Sequence, residues 1–175
     1  MPVSTDDGMH GFQIWVNMAA KDKLRPAIYQ DSVETGLPEL HNETGATLRL
    51  LAGQWSIGDT VASSSLCNLS ANAAIADLSL QPSGEVVIER HDVEQVLMYV
   101  HTGKINGHPA RTLLILDPKE QIRAESETGG GALIFSAKKL KEPVAHMGPF
   151  VMNTQAELQQ AVADYRAGKF GTIGA

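Results

Sequence analysis

The sequence predicts an all-β domain, a barrel or a sandwich of short strands, with one α-helix near its C-terminal end. From residue 46 onward, short apolar runs such as EVVIERH, ARTLLILDP and GALIFSA are broken by turn signals. Gln81-Pro82-Ser83-Gly84 and Asn106-Gly107 are the clearest turns, because proline presets one backbone dihedral angle and glycine accepts a positive one. Strands at this spacing are typical of sandwiches and barrels. Several runs are apolar at nearly every position, which predicts cover on both faces of a sheet.

The elements outside this region are fewer. Residues 11–17, GFQIWVN, alternate apolar and polar side chains and therefore predict a β-strand. The connection that follows has no steady period and contains two prolines, as a surface segment would. Near the end of the chain, Thr154 and Glu157 form a capping box before apolar residues at helical spacing, and Gly168 can close this helix.

Composition excludes several function classes. The 175 residues fit one domain, and 14 Lys and Arg against 20 Asp and Glu give a net charge of −6, which argues against direct nucleic-acid binding. No apolar run is long enough to cross a bilayer, and the first residues have no secretory pattern. Cys67 is the only cysteine. We therefore expect a cytoplasmic protein with no membrane contact, in which Cys67 is a buried structural residue.

Three segments resemble the pirin family. GFQIWVNMAAKDKLRPAIYQ (11–30) is similar to the pirin segment that leaves the first of two cupin domains, and EPVAHMGPFVMNTQAELQQAVADYRAGKFG (142–171) resembles the C-terminal signature. Residues 85–105 resemble the central hairpin of the second cupin. The resemblance implies a cupin-type β-barrel or jelly roll with one C-terminal helix. It also implies that residues 1–40 are a remnant strand and interdomain connection, and 41–175 the C-terminal cupin-type domain.

The resemblance also bears on metal binding. A pirin metal of the iron type lies in the first domain, held by three histidines and a glutamate upstream of the segment that resembles residues 11–17. The last of these ligands precede a Met-Pro pair, and this sequence starts with Met1-Pro2. We therefore expect no cofactor here, and iron or another divalent metal only in a full-length pirin.

A metal site within the chain itself has weak sequence support. Cupin sites take two histidines one residue apart, a glutamate a few residues later and a third histidine from a later strand. Here His91 stands alone, Glu94 lies near the glutamate position, and His101 and His108 flank a turn. The alternative is that all four are solvent-facing or hydrogen-bonded residues. We predict no catalytic residue and no metal site, with these four as the candidates.

These observations predict a non-catalytic, metal-free binding or interaction module. The alternative is a metal-dependent dioxygenase similar to quercetin 2,3-dioxygenase, or a redox-linked transcription cofactor, if a first cupin is supplied. A strand at residues 11–17 would leave an apolar edge. We therefore expect a homodimer, formed through this segment or through the face that a first cupin covers, and leave a further protein partner open.

Overall fold

A computed structural model describes residues 11–30, 36–119 and 121–170, and most of the strands in these ranges form two sheets that face each other. The larger sheet has the order β1-β2-β5-β11-β7, with β8 and β9 both paired to β7, and the smaller sheet has the order β10-β6-β3-β4. A separate hairpin joins β12 to β13. The strands are β1 (Glu39–His41), β2 (Ala46–Ala52), β3 (Gln54–Ile57), β4 (Thr60–Ser63), β5 (Ala74–Leu80), β6 (Gly84–Glu89), β7 (Gln95–Ile105), β8 (His108–Pro109), β9 (Thr112–Leu116), β10 (Ile122–Ser126), β11 (Gly130–Ala137), β12 (Ala145–Met147) and β13 (Phe150–Met152).

Strand alternation places one continuous core between the two sheets. Along β7, Val96, Met98 and Val100 are buried, whereas the residues between them are partly exposed. Trp55 and Ile88 enter the same core from the smaller sheet. Side chains two residues apart share a face of a strand, so this pattern fixes the register of both sheets. The predicted all-β, cupin-type fold is confirmed as a jelly-roll sandwich, and the two sheets do not close into a barrel.

The predicted central hairpin at residues 85–105 is wrong. Strand β6 pairs with β3 and β10 in the smaller sheet, whereas β7 pairs with β11 and β9 in the larger one. The intervening residues, which include Asp92 with a φ of 58°, carry the chain from one sheet to the other. The resemblance implied that these two strands pair, but the jelly roll places them in opposite layers.

The predicted strand at residues 11–17 is also absent. Among the described residues, no strand pairs with this segment, and it lies over the larger sheet as extended chain. The ring of Phe12 meets that of Tyr99 edge-on, with centroids 5.9 Å apart. Alternating side chains give a segment an apolar side, but a strand also needs a neighbour with free backbone groups. The division of the chain at residue 40 remains a prediction.

Turns and the helix follow their sequence signals closely. Asn106 and Gly107 have φ values of 49° and 77°, as the hairpin turn between β7 and β8 requires. The single α-helix α1 (Gln155–Arg166) begins at the Thr154 capping box, and Gly168 follows it with a φ of 70°. No helix in the described part of the chain is long and apolar enough to cross a membrane.

The two terminal segments that carry the family resemblance contact each other. The Lys23 ammonium donates to the Asn17 side chain at 2.6 Å and to the Val151 carbonyl at 3.1 Å. The Glu142 carboxylate accepts from the Ala20 backbone N–H at 2.8 Å and from the Asn153 amide at 3.0 Å. The segment after residue 17 is therefore fixed to the corner formed by β12, β13 and α1.

Candidate functional site

The larger sheet carries apolar side chains on the face that points away from the core. This apolar outer face comprises Ile75, Leu97, Tyr99, Leu113, Ile115, Leu133 and Phe135. The register aligns them in two rows across the strands, because Tyr99 pairs with Leu113 and Leu133, and Leu97 pairs with Ile115 and Phe135. The prediction that strands are covered on both faces holds for Ile75 and Leu133, which are buried, but not for β9, where Leu113 and Ile115 are exposed.

A groove of about 520 Å³ runs along this outer face. Its floor includes Leu97 and Phe135, one wall is formed by residues 14–17, and the other by residues 138–142 with Val144. Trp15 and Val144 both remain 65% exposed on its rim. The lining of the groove is mostly apolar, and this chemistry suits an apolar protein surface better than a polar small molecule.

One polar pair interrupts the apolar outer face. The Nε2 atom of His101 lies 2.9 Å from the Asp77 carboxylate, and its Nδ1 atom lies 3.0 Å from the Thr102 hydroxyl. The ring crosses over Gly131, where an added Cβ would come within 2.5 Å of the imidazole. His101 is therefore held on the outer face with both ring nitrogens engaged, and it points away from the sandwich interior, where cupin metals bind.

The other metal candidates lie elsewhere. His91 follows β6 with a side chain that is 85% exposed and 3.8 Å from the Glu89 carboxylate. The Lys141 ammonium and the Lys139 backbone N–H both donate to Glu94 and hold the pKa of its carboxyl below the usual value. His108 is exposed in the β8 hairpin.

The structure does not bring these four residues together. Glu94 directly precedes β7 and His101 lies seven residues further along it, a separation of about 23 Å in a strand. In the described chain, no three His, Cys, Asp or Glu side chains are grouped as metal ligands would be. The interior positions nearest His101 are filled by Met98 and Val100, both fully buried. In the described part of the chain, the four candidate residues therefore do not fit the ligand set of a cupin metal.

One further expectation is wrong, and one feature of the site was missed. Cys67 is exposed, so the prediction of a buried structural cysteine is wrong. It lies in the loop after β4, where no strand alternation directs a side chain inward. Sequence reasoning also did not identify the apolar outer face as a site, although the uninterrupted apolar run LLIL in β9 was its signal.

The two-sheet jelly roll with a capped terminal helix defines a cupin-type domain. Residues 75–171 match the model of the pirin C-terminal cupin domain, and the chain therefore belongs to the pirin family. A Vibrio cholerae protein named "Putative quercetin 2,3-dioxygenase" is 33% identical over 98% of this chain and 62% of its own length. Human pirin is 26% identical over 98% of this chain and 60% of its own length.

A solved structure gives the same assignment. The crystal structure of quercetin 2,3-dioxygenase from Acinetobacter baumannii superposes with a TM-score of 0.76 at 27% identity, covering 91% of this chain and 56% of that one. The chain thus spans about three fifths of the length of the curated relatives it matches. The resemblance in the terminal segments is confirmed at the level of the family.

Proposed function

We propose that this chain acts as a non-catalytic, metal-free interaction module of the pirin family, and that the apolar outer face of its larger sheet is the binding surface. The observation that carries this proposal is the groove of about 520 Å³ between residues 14–17 and Val144. Exposed apolar concavities of this kind are typical of protein-binding surfaces.

The packing of the interior supports a structural role for the sandwich. Leu48, Leu78, Ile88 and Met98 fill the space between the sheets and are fully buried. A cupin enzyme needs a polar, ligand-lined cavity in this position, whereas a close-packed apolar core stabilises a scaffold. The candidate ligands lie outside this core.

The occupant that we propose is a metal-binding cupin domain of the same family. The relatives extend well beyond the part that this chain spans, and one is named for a dioxygenase activity. The described residues of this chain form no group of three metal ligands. The groove offers such a domain an apolar contact, with Lys138, Lys139 and Lys141 lining its rim. Lys138 and Lys141 are already paired with Asp92 and Glu94, so the apolar side chains of the groove, and not the charge of its rim, would carry the contact.

A second function follows if such a domain is present. The 33% identity to the Vibrio cholerae relative and the likeness to the Acinetobacter baumannii enzyme favour a quercetin 2,3-dioxygenase activity for the assembly. In that assembly, this chain would position and cover the partner domain and supply no ligand to the metal.

The metal-free role is tested on the purified 175-residue chain. We expect substoichiometric iron, nickel and copper by mass spectrometry and no oxygen-dependent loss of quercetin. A triple variant, His91→Ala with His101→Ala and His108→Ala, should bind as little metal as the parent chain. One metal per chain with quercetin turnover, lost in the triple variant, would overturn the proposal.

The binding surface is tested separately in a chimera. The two fifths of the Vibrio cholerae relative that this chain does not span are fused ahead of it, and hydrogen exchange is compared with that of the chain alone. We expect the backbone amides of Leu97 and Phe135 to exchange more slowly in the chimera than in the chain alone. This slowing should be smaller in the variant Val144→Asp, because a charge on the groove rim opposes apolar contact. Val61→Asp, at an exposed apolar residue in the smaller sheet, is the matched control. Equal protection in all three chimeras would exclude the groove as the contact.

A further inference from the structure

We propose that β9 is a self-pairing edge at which two copies of this chain join their larger sheets into one continuous antiparallel sheet centred on Leu114. The proposal is independent of the metal-free role and concerns the strand edge, whereas the groove lies on the sheet face. It replaces the expected dimer contact through residues 11–17, since that segment provides no strand edge.

Strand β9 is an open edge of the larger sheet. It pairs with β7 on one side, and no other strand in the described ranges pairs with its second side. Open edges expose unpaired backbone N–H and C=O groups, which proteins commonly protect with charges, prolines or very short strands. Such protection is absent within β9, whose sequence is TLLIL.

The other edges in the described chain are shorter than β9 or carry charged residues. Strand β1 has only three residues, of which Glu39 and His41 are polar and exposed. Strand β10 presents exposed Arg123 and Glu125. Strand β4 consists of TVAS and exposes one large apolar residue, Val61. Among the described edges, β9 is therefore the one best suited to pair with another chain.

Its exposed side chains favour apolar contact. Leu113 and Ile115 point to the outer face and remain 55% and 79% exposed. Leu114 and Leu116 point inward and pack against the core from its margin. Antiparallel pairing of two such strands would extend the apolar rows on both faces across the junction. Every pair of opposing residues between the two β9 strands would then include an apolar side chain.

Geometry restricts the register of this pairing. Residues opposite each other in a sheet share a face, and neighbours within a strand point to opposite faces. The twofold axis must therefore pass between the two copies of one β9 residue, which lie opposite each other. A centre at Leu113 would place Arg111 opposite Ile115. A centre at Ile115 would place Arg111 opposite Lys119, with two like charges facing each other.

A centre at Leu114 avoids both conflicts. It brings Arg111 of each copy close to Asp117 of the other. Both residues lie just outside β9: Arg111 is in a turn with a φ of 70°, and the Asp117 carboxylate accepts from the Lys119 N–H at 2.9 Å. The long Arg111 side chain can reach this carboxylate, so the junction gains a charge pair at each end. Arg111 and Asp117 both lie at exposed positions flanking the strand. Opposite charges across strands stabilise pairing and select the register. This charge complementarity specifies a second copy of the chain as the occupant of the edge.

The test is a charge reversal in the full chain, followed by sedimentation velocity from low to high micromolar concentration. Arg111→Asp alone and Asp117→Arg alone each place like charges at both ends of the junction. We expect each to raise the dimer dissociation constant by about tenfold, because two exposed pairs change from attraction to repulsion. The double variant recreates both pairs in reverse and should restore dimerisation.

Two further variants keep the test specific. Ile115→Lys should abolish the dimer, whereas Val61→Lys on the β4 edge should leave it unchanged. Urea unfolding of every variant confirms that the chain remains folded. A parent chain that is monomeric at tens of micromolar overturns the proposal. So does a dimer that survives Ile115→Lys, or two single reversals that the double variant does not rescue.

Discussion

Replacement of Arg90 should destabilise the sandwich more than replacement of any other charged residue that we consider. Its guanidinium donates to the Ser136 hydroxyl at 2.9 Å, the Gln54 carbonyl at 2.7 Å and the Asn72 carbonyl at 3.0 Å. It also lies over the Trp55 ring, 5.3 Å from the centroid. Gln54 belongs to the smaller sheet and Ser136 to the larger, so this one side chain links the two layers. Burial lowers the pKa of the guanidinium, as expected for a partly desolvated charge.

The expected loss in the free energy of unfolding follows from these contacts. Three partly solvated hydrogen bonds contribute about 0.5–1.5 kcal/mol each, and the cation–π contact about 0.5–1 kcal/mol. Some of the acceptors regain water when the side chain is removed, so Arg90→Ala should cost about 2–4 kcal/mol in the free energy of unfolding. Arg90→Lys keeps the charge but cannot reach all three acceptors and should cost about half as much.

Urea unfolding monitored by tryptophan fluorescence measures this effect. Arg123→Ala is the matched control, because the exposed Arg123 makes one side-chain hydrogen bond, to Gln121, and should change stability by no more than about 0.5 kcal/mol. The m-value should remain constant if the native fold is retained. Arg90→Ala with the stability of the parent chain, or of the Arg123 control, would refute the idea that this residue links the layers.

Other consequences concern the helix and the outer face. Thr154→Ala should destabilise the chain by about 1 kcal/mol through loss of the N-cap, measured by thermal unfolding. The Thr154 hydrogen bond lowers the pKa of Glu157, so its contribution is present above the unfolded-state pKa and lost as pH falls through the lower folded value. Glu157→Gln should flatten the fall in melting temperature between neutral and acidic pH, and an unchanged slope would contradict this. Gly131→Ala should cost about 1–3 kcal/mol by displacing the His101 ring, and this cost should shrink in a His101→Ala background; equal costs in both backgrounds would show that the ring is not the obstacle.

Local signals explain why much of the fold was predictable. The capping box at Thr154 and the Asn106-Gly107 turn each depend on a few adjacent residues, and both occur as predicted. The alternating burial along β7 was not predictable in this way, because its run VLMYV is apolar at every position. The strand partners could not be predicted from local signals, because β6 and β7 are close in sequence yet lie in different sheets. Pairing is decided by long-range packing, and a local pattern does not specify it.

The candidate site was less predictable for a related reason. His101 and Asp77 are separated by 24 residues and meet across the strand that contains Gly131. The sequence could not determine whether His101 points inward, since a shift of one residue reverses every side chain in a strand. The structure places it outward. Glu94 was a plausible ligand by spacing alone, but Lys141 and the Lys139 N–H occupy its carboxylate.

Apolar residues on both faces of one sheet connect the fold to its proposed roles. The inner face is covered by the smaller sheet, but residues 11–17 cover only part of the outer face, and Leu113 and Ile115 remain 55% and 79% exposed. Full burial of such a side chain contributes about 1.5–3 kcal/mol, so covering the remainder of these two would stabilise a complex by about 2–4 kcal/mol per copy. A partner domain in the groove would lie over the face, whereas a second copy at β9 would extend the sheet sideways. Because one contact uses side chains on the face and the other uses the backbone edge, both can form on the same chain, and each can be removed by substitutions that leave the other intact.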